Sequence, residues 1–241
     1  MTVDFAIEPL AEDALLLRFG DGIDIDVNAR VHAAAHAIRA AQLAAIVDIA
    51  PAYSTLLVRF DPFLRGRDAL PEAVTKVLDR DFQQGEGDEP EASASRKLPT
   101  QRTEIPVCYG GEYGPDLGTI AQHAGVTPDE VTERHLRAEY AVAMLGFAPG
   151  FPYLLGLHPA LHTPRRANPR TRVPAGSVAI GGAQTGIYPR ELPGGWNLIG
   201  RTPLALFDAR HEPPCLLAPG DRVRFRAIDA DEFRRLAEHD A

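Results

Sequence analysis

Lysine is nearly absent from this chain. Of 25 basic residues in 241, only Lys76 and Lys97 are lysines, and neither sits in a glycine-rich loop. A phosphate loop of the Walker A kind needs a lysine in such a loop, so it is excluded. A Schiff-base mechanism is excluded wherever no lysine lies nearby. A biotin-acceptor pattern is missing too, because neither Met1 nor Met144 neighbours a lysine. Cysteine is as scarce: Cys108 and Cys215 are far apart, too few for a secreted disulfide framework and without zinc-site spacing. They read as two thiols in a reducing cytoplasm. No run of about 18 apolar residues is present, so no membrane span is expected. The N-terminus lacks a basic segment followed by an apolar one, so no signal peptide is expected. His32 and His36 are four apart in an alanine-rich stretch with no acidic third ligand, and read as helix surface rather than a metal site. Positive charge is also in deficit, with a formal net charge of -8, which argues against nucleic acid as the main partner.

What the chain does have is 45% hydrophobic residues, enough for a sizeable core, and one or two domains' worth of length. Residues 1–83 read as a small α+β unit in the order ββαββα. Strand-like runs lie at Val3–Pro9, Ala14–Phe19, Ile46–Ala50 and Thr55–Phe60. Asn28 is the expected cap of a helix running to about Leu43, and Pro71 opens a second helix. Two helices on one side of a sheet make a two-layer sandwich. Residues 84–102 are acidic and lack large apolar side chains between Gly85 and Ser95, and are expected to be a flexible linker.

From residue 103 onward, short apolar runs broken by Gly and Pro indicate a β-rich, barrel-like body, 103–241. Strands are expected at Glu104–Tyr109, Val173–Ile180, Trp196–Ile199, Leu204–Phe207 and Val223–Phe225. Asp116 is the expected cap of a short helix over Leu117–Ala124. Thr127-Pro128-Asp129-Glu130 is a capping box for a helix to about Glu139. Asp229 caps a terminal helix over Ala230–Glu238.

Glycine and proline are unevenly spread. Between Gly146 and Gly200 they make up about a third of the residues, against about an eighth elsewhere. Glycine there permits close approach of a ligand to the main chain. The same segment holds Arg165, Arg166, Arg170, Arg172 and Arg190 against the single acid Glu191. A basic island in an acidic chain favours small anions, and arginine suits carboxylate or phosphate. Phe147, Phe151, Tyr153, Gln184, Tyr188 and the only tryptophan, Trp196, supply apolar walls and an amide. Ser177 follows a glycine but lacks the nucleophile-elbow pattern, and no carboxylate pair is present for glycosidase-type work.

The loops themselves are distinctive. Gly146-Phe147-Ala148-Pro149-Gly150-Phe151-Pro152-Tyr153-Leu154, His162-Thr163-Pro164-Arg165-Arg166, Val173-Pro174-Ala175-Gly176-Ser177-Val178, Gly181-Gly182-Ala183-Gln184-Thr185-Gly186-Ile187-Tyr188-Pro189 and Pro193-Gly194-Gly195-Trp196-Asn197-Leu198-Ile199-Gly200-Arg201-Thr202 resemble the family of bacterial 5-oxoprolinase B subunits. That family is also called allophanate hydrolase subunit 1, or carboxyltransferase domain subdomain C/D. Ile105–Gly111, Gly114–Leu117 and Leu217–Phe225 extend the resemblance over the second domain.

The resemblance implies a cyclophilin-like β-barrel after the α+β unit. It implies two partners, the 5-oxoprolinase C subunit, of related fold, and the A subunit. It also implies ATP with Mg2+ in the assembled complex, which would open 5-oxo-L-proline to L-glutamate. With no signal peptide or membrane span expected, the chain reads as cytoplasmic. A regulatory inhibitor of a sensor histidine kinase and an allophanate hydrolase or urea carboxylase component are the alternative roles within the same resemblance. From residue chemistry, Gln184, Arg165 and Tyr188 are the candidates for the reacting centre. Phe147, Pro149, Tyr153, Ser177, Gly181, Gly182, Trp196 and Arg201 are the candidates for holding the substrate. Arg165 or Arg201 would clamp an anion, and Gln184 with the Gly181-Gly182 amides would orient the lactam.

Overall fold

The computed structural model describes residues 5–64, 67–84 and 102–239. The chain separates into two compact units, residues 1–100 and 101–241. The expected linker, 84–102, lies outside the described residues except for its two end residues, and so do Val3 and Asp4 of the first expected strand.

The N-terminal unit is a two-layer α+β sandwich. Strands β1 (Ala6–Ala11), β2 (Ala14–Arg18), β3 (Ile46–Pro51) and β4 (Thr55–Phe60) form one antiparallel sheet in the order β1-β2-β4-β3. Period-two patterning decides its faces. Leu15 and Leu17 stand directly opposite Val58 and Leu56, and all four are buried. Helices α1 (Ile25–Ala40) and α2 (Leu70–Gln84) bring Val31, Ala34, Ile38, Val74 and Leu78 onto this face. Each fully buried aliphatic side chain contributes about 1.5–3 kcal/mol.

Two expectations fail in α1. Its cap is Asp24, whose carboxylate accepts from the amides of Asp26 and Val27, both at 2.9 Å. Asn28 is buried inside the helix instead, and its amide donates to the carbonyls of Ala52 (3.0 Å) and Tyr53 (3.2 Å). His32 is not on the surface. It is buried one turn later, its Nε2 3.1 Å from Asn28 Oδ1.

The C-terminal unit is a closed barrel. Its strands are β5 (Arg102–Tyr109), β6 (Tyr140–Leu145), β7 (Pro152–Leu155), β9 (Ser177–Gly181), β10 (Gln184–Ile187), β12 (Asn197–Arg201) and β13 (Arg222–Ala227). They close in the order β10-β7-β6-β13-β5-β12-β9, with β13 and β5 parallel and the other neighbours antiparallel. A small separate sheet pairs β8 (Arg170–Val173) with β11 (Leu192–Gly194). Helices α3 (Leu117–Ala124) and α4 (Pro128–Arg137) add Leu117, Ile120, Ala121 and Val131 to the barrel core. Half of the capping box forms: the Glu130 amide donates to Thr127 Oγ1 at 3.2 Å, while the Glu130 carboxylate accepts from Arg134 at 2.5 Å. Helix α5 (Ala230–His239) is capped by Asp229, which accepts from the Glu232 amide at 2.7 Å.

The expected strand Val173–Ile180 is two strands, because Pro174 cannot donate to a ladder and Gly176 turns the chain at φ 77°. Leu204–Phe207 is not a strand. Pro203 opens it, and Phe207 keeps only an isolated bridge to Cys215. Cys108 is buried, Cys215 is partly exposed, and both thiols are free.

Candidate functional site

Strands β9 and β10 form a tight hairpin. Its two loop residues are Gly182 and Ala183, and Gly182 takes φ 68°, which a glycine tolerates at that first position. One face of the hairpin, with Val178, Ile180 and Ile187, belongs to the barrel core. The opposite face carries the small residues Ala179, Gly181 and Gly186 beside Gln184. Their smallness makes room for rings. A Cβ on Gly181 would lie 2.6 Å from the Trp196 indole, and one on Gly186 would lie 3.1 Å from Phe151 Cε1. Across from them, a Cβ on Gly194 of β11 would lie 2.1 Å from the Tyr188 hydroxyl.

The rings fill this space as one layer outside the barrel, with Ala148, Val173, Ala179 and Leu198 beneath them. Phe151 is the hub. Its centroid is 4.9 Å from Tyr153, 5.2 Å from Tyr188, 5.5 Å from Phe147 and 5.8 Å from Trp196. Tyr153 is also 5.8 Å from Trp196. Most of these pairs are edge-to-face, the favoured arrangement for aromatic quadrupoles. Phe151, Tyr188 and Trp196 are buried, Tyr153 is half-buried, and Phe147 is 62% exposed. The set therefore grades from a packed base to an open rim. Burial pushes the Tyr153 and Tyr188 phenols up from their ordinary range. Arg165 pulls the other way on both, as does the Trp196 main chain on Tyr188. Both phenols are protonated near neutrality.

Arg165 is exposed at this rim, with Cζ 5.7 Å from the Trp196 ring centroid. The expected basic island is much reduced. Arg166 and Arg170 are spent on Asp116, and Arg172 faces Glu191 at 3.6 Å. Asp116 does not cap α3 with its side chain. It is buried, and its carboxylate accepts from Arg166 (2.8 Å), from both terminal nitrogens of Arg170 (2.8 and 2.9 Å) and from the Leu198 amide (2.8 Å).

The candidate residues fall into two groups. Phe147, Tyr153, Gly181, Trp196, Arg165 and Tyr188 meet in or around the aromatic layer. Pro149 is exposed in the same short loop as Phe147, and Gln184 is buried opposite Gly181 across the hairpin. Ser177 and Arg201 do not meet them. They pair with each other at the far end of β9, about 13 Å along the strand from Gly181. Ser177 is 1% exposed. Arg201 donates from Nε to the Ala175 carbonyl at 2.7 Å, and its Cζ lies 6.0 Å from the Phe233 ring centroid, away from the aromatic layer. The Gly182 amide is also unavailable, since it donates to the Thr163 carbonyl at 2.7 Å.

Sequence similarity places this geometry. The profile described as "Carboxyltransferase domain, subdomain C and D" matches residues 5–217. The chain belongs to the carboxyltransferase subdomain C and D family. A relative from Bacillus subtilis, named as the B subunit of 5-oxoprolinase, is 42% identical over 238 residues, covering 99% of each chain. Another of that name, from Escherichia coli O157:H7, is 49% identical over 180 residues, covering 75% of this chain and 77% of its own. The crystal structure of the Kluyveromyces lactis urea amidolyase superposes with a TM-score of 0.76 at 20% identity, over 99% of this chain and 16% of that one. At that identity it speaks for the fold alone.

Within this carboxyltransferase subdomain C and D chain, sequence reasoning missed three residues of the site. Phe151 counted as one aromatic among several, yet it is the hub. Asp116 read as a helix cap, although three arginines so close together (165, 166, 170) signal the need for an acid elsewhere. Asn197 is buried and holds the Pro164 carbonyl at 2.9 Å and the Ile180 carbonyl at 3.3 Å. Among the described residues no group of three or more His, Cys, Asp or Glu could hold a metal, and none of the helices is long and apolar enough to cross a membrane.

Proposed function

We propose that this chain is the B subunit of an ATP-dependent 5-oxoprolinase, acting with partner C and A subunits to open 5-oxo-L-proline to L-glutamate. The observation that carries the reading is the similarity over nearly the whole chain to relatives named as 5-oxoprolinase B subunits. The aromatic layer suits that substrate, which is a small planar lactam bearing one carboxylate.

Arg165 would pair with the carboxylate beside the Trp196 indole. Trp196, Tyr153 and the exposed Phe147 would cover the ring faces. The Gln184 side chain can donate to the lactam oxygen and accept from its N–H. The Tyr188 phenol, kept protonated by burial, would serve as a donor. These residues bind and orient. Among the described residues the patch offers no free carboxylate shown to face it for a magnesium ion: Asp116 is held by Arg166 and Arg170, and Glu191 lies against Arg172. No step of the reaction is routed through ATP at these residues.

The test is reconstitution. The chain should co-purify with the C and A subunits, and the complex should release glutamate from 5-oxoproline only with ATP. In that complex Arg165→Ala should raise KM for 5-oxoproline at least tenfold. Absence of glutamate with all three components present would sink the assignment, and an unchanged KM would remove Arg165 from the site.

A further inference from the structure

We propose that Asp116 and Asn197 are positioning residues that hold Arg165 over Trp196 and reserve it for the substrate carboxylate. The inference rests on the reading of the aromatic patch given above. Arg165 is exposed, and among the described residues no carboxylate pairs with it. A long exposed arginine would ordinarily sample many rotamers, and aligning it costs entropy at each binding event. Here its neighbours are fixed. The Pro164 carbonyl accepts from Asn197 Nδ2 at 2.9 Å, and the Arg166 amide donates to the Gly195 carbonyl at 2.7 Å. The residues on either side of Arg165 are thus bonded to the residues on either side of Trp196. The two segments run side by side, and the guanidinium is brought over the indole.

Asp116 locks the same pair of segments from below. It accepts from Arg166 and Arg170 on one segment and from the Leu198 amide on the other, while its own amide donates to the Leu198 carbonyl at 2.9 Å. Asn197 adds a bond to the Ile180 carbonyl, which ties the arrangement to β9 beneath Trp196. The carboxylate also has a selective effect. Arg166 and Arg170 would otherwise compete for an incoming anion at the wrong place. Sharing one buried acid removes both from competition and leaves Arg165 as the cation beside the ring.

The experiment compares Asp116→Asn, Arg170→Gln and Asn197→Ser in the reconstituted complex, alongside Arg165→Ala. Arg170→Gln leaves the Asp116–Arg166 pair in place and is the control, expected to keep KM within twofold; Asn197→Ser is the decisive variant if Asp116→Asn does not fold. For Asp116→Asn and Asn197→Ser, positioning predicts a KM for 5-oxoproline raised at least fivefold with kcat within twofold. It also predicts a shift of the emission of Trp196, the chain's only tryptophan. A purely structural role would lower thermal stability and leave KM of the surviving complex unmoved, which would overturn the inference. If Arg165→Ala raises KM and the folded Asp116 and Asn197 variants do not, the positioning inference alone fails. If Arg165→Ala leaves KM unmoved as well, the reading of the patch fails with it.

Discussion

Gly181 and Trp196 are in such close contact that the strand residue has no room for a side chain: an added Cβ would sit 2.6 Å from both Cδ1 and Nε1 of the indole. Gly181 shows no left-handed φ, so its identity is set by space rather than by backbone conformation. Gly181→Ala should therefore displace the ring and cost about 1–3 kcal/mol, the usual range for overpacking. Thermal unfolding measures the cost. Emission from Trp196 reports the displacement directly, and an unshifted spectrum with an unchanged Tm would contradict it.

The barrel interior contains a titratable group whose charge the fold does not accept. His135 is completely buried, with Nδ1 2.8 Å from the Tyr109 hydroxyl and Nε2 3.2 Å from Thr185 Oγ1. Thr185 already donates its hydroxyl proton to the Ala179 carbonyl at 3.0 Å, so it can only accept from the ring. Nε2 therefore carries the proton, and Nδ1 accepts from Tyr109. Burial pushes the His135 pKa down to about 3. An unfolded histidine titrates near 6.5, so between those values the unfolded chain binds the extra proton and the folded one does not. Stability from this group is full above pH 6.5 and is lost as pH falls toward 3. At pH 5 the loss should be about 2 kcal/mol relative to pH 7.5. Urea unfolding at the two pH values tests this, and His135→Gln should flatten the difference between them.

Asn28 joins α1 to the turn between β3 and β4 by donating to two carbonyls, and its own oxygen meets His32. Replacing it removes all three of these contacts from a buried position. Asn28→Leu should cost about 2–3 kcal/mol, whereas Asp24→Ala, which removes only a helix cap, should cost about 1 kcal/mol. Comparable costs in urea unfolding would mean that Asn28 is a minor bond and that Asp24 carries the helix.

These two residues show what the sequence makes legible and what it hides. Asn28 and Asp24 are both competent caps four residues apart, and only the packing of α1 on the sheet decides which is buried. The sheet and its two helices follow from local periodicity and are readable. The barrel strands β6 and β10 are not. Tyr140–Leu145 is apolar on both faces, and Gln184–Ile187 is short and carries a glycine seated under Phe151. In the site, loop motifs revealed the aromatics and Arg165. They could not reveal that Asp116, 50 residues from Arg166 and 82 from Leu198, consumes two of the island's arginines. Local composition counts charge, and long-range pairing decides how much of it remains.

Phe147 is the most exposed of the rings and the most strained. Its φ is 68°, and the Ala148 amide donates to the Gly146 carbonyl at 2.7 Å, which closes a three-residue turn around it. A turn of that form with a positive central φ is rare and strained, and for a bulky residue the cost is about 1–3 kcal/mol. The edge-to-face contact with Phe151 returns about 0.5–1.5 kcal/mol. Folding alone would thus favour a glycine at position 147. Phe147→Gly should leave Tm unchanged or raise it by a few degrees, while raising KM for 5-oxoproline several-fold in the assembled complex. The two measurements pull apart only if the ring is kept for a ligand. A variant with raised stability and unaltered KM would show that the exposed phenylalanine does not touch the substrate.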